Sequence, residues 1–194
     1  MSDASPRPLS KLIALASSLL VAAIAVIALW NYLGGGGGDD PATRTAVINP
    51  VRDAVEAAAA HSQDCGRRFD DVTRADASER ADPDAALARI QTCGADARRL
   101  AVAGYDALDA ATGPDDSPLR AEFLDSAGSL LSVYEMQGDD FDLARDLLQD
   151  ARANDRPMAS LATDLSYLLG NSAADIAAAE EQFARTQAAY RSGG

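Results

Sequence analysis

Histidine and lysine each occur once in this 194-residue chain, as His61 and Lys11, and cysteine occurs only twice. These scarcities exclude several kinds of chemistry. A histidine-based triad would have to use His61, and no nucleophile motif accompanies it. Zinc centres need clustered Cys and His. The absence of C-x-x-C and C-x-x-C-H excludes the usual thiol oxidoreductase and c-type haem. The glycine run at 34–38 precedes no lysine-bearing helix start, so no phosphate-cradling loop is present. Aromatic residues are only 5% of the chain, too few to line the cleft of a helical glycosidase. No catalytic residue, metal or cofactor is expected, and the chain does not read as an enzyme.

Strand signals are also missing. β-branched residues are sparse beyond the first 30 positions, and no stretch alternates with period two. Alanine, leucine and arginine dominate instead, which is helix composition. The formal net charge is -13. Phosphate backbones would repel such a domain, so nucleic acid is excluded as a partner. Arginine in place of lysine reads as a GC-rich bacterial genome.

The one long apolar run is LIALASSLLVAAIAVIALW, Leu12–Trp30, which carries no charge. As a helix it would rise about 28 Å, close to the hydrocarbon thickness of a bilayer. Arg7 and Lys11 flank one end, and Trp30 and Tyr32 the other. Positive flanks stay in the cytoplasm, and amphipathic rings favour the interface. The expected order is a cytoplasmic stub (1–11), a transmembrane anchor (12–33), a flexible Gly/Asp tether (34–42) and an exported helical domain (43–191). This places the protein in a bacterial inner membrane, single-pass, with its C-terminal domain in the periplasm. A cleaved signal peptide is the alternative, but its apolar region is shorter and ends in a small-x-small site. Ala14, Ser18, Ala22 and Ala25 recur on one face of the segment. Such a seam would let a second copy approach, so a homo-oligomer stays open beside chance spacing in an Ala-rich span.

Beyond Pro41 the fold class is all-α: an antiparallel helical bundle or a short helical-repeat array. Val51, Val55, Ala58, Ser62, Cys65, Phe69 and Val72 recur every three or four residues, and ADASERADPD ends that stripe. Leu87 to Leu108 form a second stripe, closed by TGPDDSP. A third runs from Leu119 to Tyr134 and is expected to stop at Gly138. Three shorter helices follow, the last opened by Ser172 and Asp175 as a weak capping box. The acidic clusters GPDDSP and GDDFD lack the ligand spacing of an EF-hand and are expected to cap the helices that follow them. Cys65 and Cys93 have their midpoint at residue 79, inside the first turn. In an antiparallel hairpin they face each other, and outside the cytoplasm they should form a disulfide worth about 3–4 kcal/mol.

Residues 127–157 resemble one unit of the tetratricopeptide repeat. Leu130 and Tyr134 match its first helix, Gly138 its turn, and Phe141, Ala144, Leu148 and Ala151 its second helix. Pro157 stands near the closing proline. Ala127 replaces the usual tryptophan, Leu131 the helix glycine, and one extra residue separates Gly138 from Phe141. The resemblance implies a protein-binding groove, with Tyr134, Phe141 and Tyr167 as the expected partner-contact residues.

The expected function is a membrane-anchored scaffold or assembly protein whose periplasmic domain docks other envelope proteins. The alternative is an accessory sensor or regulator of a membrane partner. A stub of 11 residues holds no output domain, and loose glycines transmit little strain. A reporter that works only outside the cytoplasm, fused after Gly194, should be active, and the full chain should resist alkaline extraction from membranes. A dominant soluble form starting near residue 34 would overturn the anchor.

Overall fold

Asp40 caps the first described helix. Its carboxylate accepts the amides of Ala42 (2.8 Å) and Thr43 (2.9 Å) and the Thr43 hydroxyl (3.0 Å). Pro41 follows at the first helical position, where no amide is needed. Residues 40–42, expected in the tether, are therefore the cap and first turn of a helix. The computed structural model describes residues 39–76, 82–113 and 117–193. The anchor reading of 12–33 and the glycine run lie outside them. No helix among the described residues is long and apolar enough to cross a membrane.

Helix α1, Pro41–Asp76, runs for 36 residues, about 54 Å. Pro50 lies inside it, and the buried neighbours Val47, Ile48 and Val51 hold the helix through the missing hydrogen bond. Helix α2, Pro83–Ile90, is capped by Asp82, which accepts from the amides of Asp84 and Ala85. Helix α3 spans Cys93–Ala111 and α4 Pro118–Ala153. Ser117 caps α4 by accepting from the Arg120 amide at 3.3 Å. A 3-10 turn, Met158–Leu161, leads into α5, Ala162–Gly170, and α6, Ala173–Ser192.

The four long helices alternate in direction. Cys65 on α1 meets Cys93 at the start of α3, with Cα atoms 5.9 Å apart and the sulfurs at disulfide distance. Residues 43–50 lie against the other end of α3, at Ala107–Ala111. Gly94 packs on Gly138 and Gly104 on Leu131, so α4 runs antiparallel to α3. The hydroxyls of Ser126 and Thr186 (2.5 Å) and the pair Tyr134–Glu180 (2.7 Å) set α6 antiparallel to α4. Arg44 closes the ring by donating to the Arg191 carbonyl at 3.1 Å.

Two core clusters share α1 and α4. Near the chain's entry, Phe123 stacks on Phe183 (5.6 Å) and Tyr190 (5.5 Å). At the far end Phe69 stacks on Phe141 (5.6 Å), under a lid made by α2, the 3-10 turn and α5. Ala86, Leu87, Ile90, Met158, Leu161 and Leu165 are the buried side chains of that lid.

Four sequence expectations fail here. The second stripe breaks at Gln91 and Thr92 into α2 and α3. Gly138 is no turn: α4 passes through it, so 127–157 is not a hairpin of two helices. The aspartates of GDDFD lie inside α4 and cap nothing; Asp139 and Asp142 instead pair with Arg98, at 2.9 and 2.6 Å. Ser172 does not cap α6 with its side chain but donates to Asp140 at 3.3 Å.

The glycines differ in what they do. A methyl group on Gly94 would meet the Gly138 carbonyl oxygen at 2.5 Å, whereas one on Gly66 would meet nothing within 4 Å. Gly94→Ala should therefore lower stability by about 1–3 kcal/mol through overpacking. Gly66→Ala should raise it by about 0.5–1 kcal/mol through helix propensity alone. Denaturant unfolding of the two variants checks this, and equal signs would contradict the packing of α3 on α4.

Candidate functional site

Among the clefts of the described surface, two lie one on each side of the Cys65 region of α1. The first lies between α1 and α5, with a volume of about 310 Å3. Phe69 and Leu165 form its floor, and Asp70, Thr73 and Ser166 its polar rim. Gly66 and Gly170 line it, and neither touches anything that would stop a methyl group. A helix-interior glycine costs about 1 kcal/mol against alanine. Gly66 spends that on open space. The sequence already carried this signal, a glycine inside the stripe at Cys65–Phe69.

Tyr167 is on α5 too, 80% exposed and off the face that lines this cleft. Val102, Met136 and Leu143 are the other large apolar side chains left exposed among the described residues, each 54–57% accessible. They lie on α3 and α4, where a few surface apolar groups are ordinary.

Tyr134 and Phe141, expected beside Tyr167 as contact residues, are 2% and 1% exposed. They are core. Both continue the stripe of Leu130, Ala144 and Leu148, and an unbroken helix turns that whole stripe inward. Tyr134 donates to Glu180, and burial together with that carboxylate raises its phenol well above the usual range. Only Tyr167 of the three is available at the surface.

His61 is half-buried above the Cys65–Cys93 bridge. Its Nε2 lies 2.8 Å from the Cys93 carbonyl oxygen and 3.5 Å from Cys65 Sγ. The first contact makes Nε2 the donor and ties α1 to α3 beside the cross-link.

A mixed-charge patch covers the α3–α4 seam. Arg98 spans Asp139 and Asp142, and Arg145 reaches Asp142 and Asp146, both at 2.7 Å. Pairing with Asp142 raises the Arg98 guanidinium. Tyr105 donates to Glu135 at 3.0 Å, and burial raises its phenol, with the Glu135 hydrogen bond adding to it. Among the described residues no group of three or more His, Cys, Asp or Glu side chains could hold a metal ion.

The second cleft opens between α1, α4 and the start of α6. Gln137, which no sequence pattern singled out, lines it and is 8% exposed. Close to it on α4, Asp140 accepts from Ser172. Burial holds the Asp140 carboxyl above the ordinary carboxylate range, and the charge of Asp139 adds to this.

No protein-family model matches this chain, and comparison with curated proteins and with solved structures gave no match.

The Asp140 shift has a stability consequence. A raised acid binds its proton more tightly in the folded state. Its contribution is therefore present in acid, below the unfolded pKa, and is lost as pH rises through the raised value. Asp140→Asn keeps an acceptor for Ser172 and removes the charge. It should raise the melting temperature at neutral pH, and the gain should vanish at about pH 3. A melting temperature lowered at neutral pH would show that the charge is stabilising.

Proposed function

We propose that this chain is a bitopic, membrane-anchored scaffold of the bacterial inner membrane. Its periplasmic helical domain docks other envelope proteins. The observation that supports this best is the α1–α5 cleft. It has an apolar floor and two glycines whose bareness no internal packing requires, and the 80% exposed Tyr167 lies on the same helix, α5. Tyrosine is a rigid amphipathic anchor with little entropy to lose, and such side chains dominate binding energy when a partner covers them.

The docked element fits as a short extended segment. It would set an apolar side chain on Phe69 and Leu165 and a basic one near Asp70, which makes no ion pair among the described residues. The segment 12–33 supplies the anchor in this reading, and 34–39 supplies reach without orientation. Local concentration from the anchor then adds to a modest intrinsic affinity.

A photo-crosslinking side chain in place of Tyr167, in the full-length chain in intact cells, should trap a discrete envelope protein. The same side chain at Val102 should not. Gly66→Leu, which fills the cleft while favouring helix, should reduce that adduct about tenfold or more without lowering the melting temperature. Equal labelling from both positions, or an adduct that Gly66→Leu leaves unchanged, would overturn the docking site.

A further inference from the structure

The chain has one histidine and two cysteines in 194 residues, and the fold brings all three to one point. Cys65 and Cys93 meet as the bridge between α1 and α3. His61 stands one turn before Cys65 on the same face of α1. Its Nε2 lies 3.5 Å from Cys65 Sγ and 2.8 Å from the Cys93 carbonyl oxygen. A glutamine or an arginine could donate to that carbonyl as well. Neither would bring a nitrogen lone pair to the sulfur.

These three side chains are ligands of the same ions. Thiolate and imidazole together suit a tetrahedral zinc ion. In such a site the sulfur stands about 2.3 Å and the nitrogen about 2.0–2.1 Å from the metal, which places them about 3.5 Å apart. His61 and Cys65 already have that separation. Two thiolates on one ion lie about 3.7–3.8 Å apart by the same arithmetic. Cysteines with Cα atoms 5.9 Å apart reach that by rotation about their side-chain bonds. Cys93 is also the first residue of α3, where free amides and the helix dipole favour a thiolate.

While the sulfurs are bonded to each other, no group of three such side chains among the described residues can hold an ion. Reduction releases them. A dithiol supplies two electrons and two protons, closes to its own disulfide and leaves two thiols on the chain. The ion then displaces both thiol protons, and the imidazole offers Nε2 while its own proton sits on Nδ1.

We propose that the reduced chain binds one zinc ion through Cys65 Sγ, Cys93 Sγ and His61 Nε2, so that the metal replaces the disulfide as the tie between α1 and α3. Both sulfurs are buried, and the half-buried His61 is the ligand on the solvent side. The ion enters past it, and water completes the tetrahedron. The docking cleft shares no lining residue with this site.

Co2+ is the probe, because its coordination is visible. Full-length protein in detergent micelles, reduced with a phosphine that does not chelate, should bind one Co2+ per chain. Its spectrum should show thiolate-to-cobalt charge transfer and the intense visible bands of a tetrahedral ion. The oxidised protein should show neither. His61→Ala should weaken Co2+ binding to the reduced chain by more than about tenfold, the least that loss of even a supporting contact costs a metal site. A competing chelator reads that affinity. A second measurement needs no variant: Zn2+ should raise the melting temperature of the reduced protein and leave that of the oxidised protein unchanged. The proposal is overturned if the reduced chain binds no Co2+ or binds it without the tetrahedral thiolate spectrum. It is equally overturned if the oxidised protein binds as well, if His61→Ala leaves the affinity unchanged, or if Zn2+ fails to stabilise the reduced chain.

Discussion

The register between α3 and α4 is fixed where two backbones touch. Gly94 and Gly138 face each other so closely that a methyl group on Gly138 would sit 3.1 Å from the Gly94 carbonyl oxygen. One turn further along the seam, Ala97 meets the same surface, and beyond it Gly104 gives Leu131 its place. Small residues here bring the axes together, and nearly everything on that flank follows from the register. It carries Arg98 to Asp139 and Asp142, and Tyr105 to Glu135. It also decides the other flank. Gly138 points at α3, and adjacent helical residues differ by about 100°. Gln137 therefore turns away from that seam and lines the cleft among α1, α4 and α6.

That register needs an unbroken α4, and the sequence contained the evidence for one. Leu130, Tyr134, Gly138, Phe141, Ala144, Leu148 and Ala151 keep a three-or-four spacing straight through the glycine. A helical hairpin would have reset the phase at its turn. Treating glycine as a breaker overrode the period, when tertiary packing had recruited the glycine for close approach. Pro50 is a parallel case on α1, where buried neighbours outweigh a lost hydrogen bond. The helical class and the meeting of Cys65 with Cys93 were legible, because period and equidistance from a turn are local properties of a chain. Which of Tyr134, Phe141 and Tyr167 would reach the surface was not. Tyr134 and Phe141 face inward because α1, α3 and α6 surround α4, and that arrangement is not written in α4 itself. The short α5 has fewer neighbours and leaves Tyr167 out.

Charge contributes less than its abundance suggests. Many of the ion pairs among the described residues join side chains three or four apart on exposed helix faces, where each is worth only a few tenths of a kcal/mol. The Arg98–Asp142–Arg145 group differs because it is partly buried and bridges two helices. Two guanidiniums there share one carboxylate, so Asp142 is held from both sides. The same aspartate's side chain occupies the space beside Gly94. The seam is thus closed by backbone contact inside and by charge at its edge. The excess negative charge of the chain keeps the domain hydrated and biases what approaches it towards cations.

Both clefts draw one wall from the same few turns of α1. Ala59, Ser62 and Gln63 line one, and Gly66, Phe69, Asp70 and Thr73 line the other. Cys65 lies between these two sets, joined to Cys93, and His61 adds a hydrogen bond to the Cys93 carbonyl. A segment fixed to its neighbour at that point cannot slide along α3 without breaking a covalent bond. Such a wall favours preformed sites over ones assembled on binding, and preformed sites lose less entropy when occupied. It also argues against signalling between the clefts by a shift of α1, since coupling requires an element with two arrangements. The bridge leaves α1 one register on α3. Whatever enters either cleft meets a surface already in place.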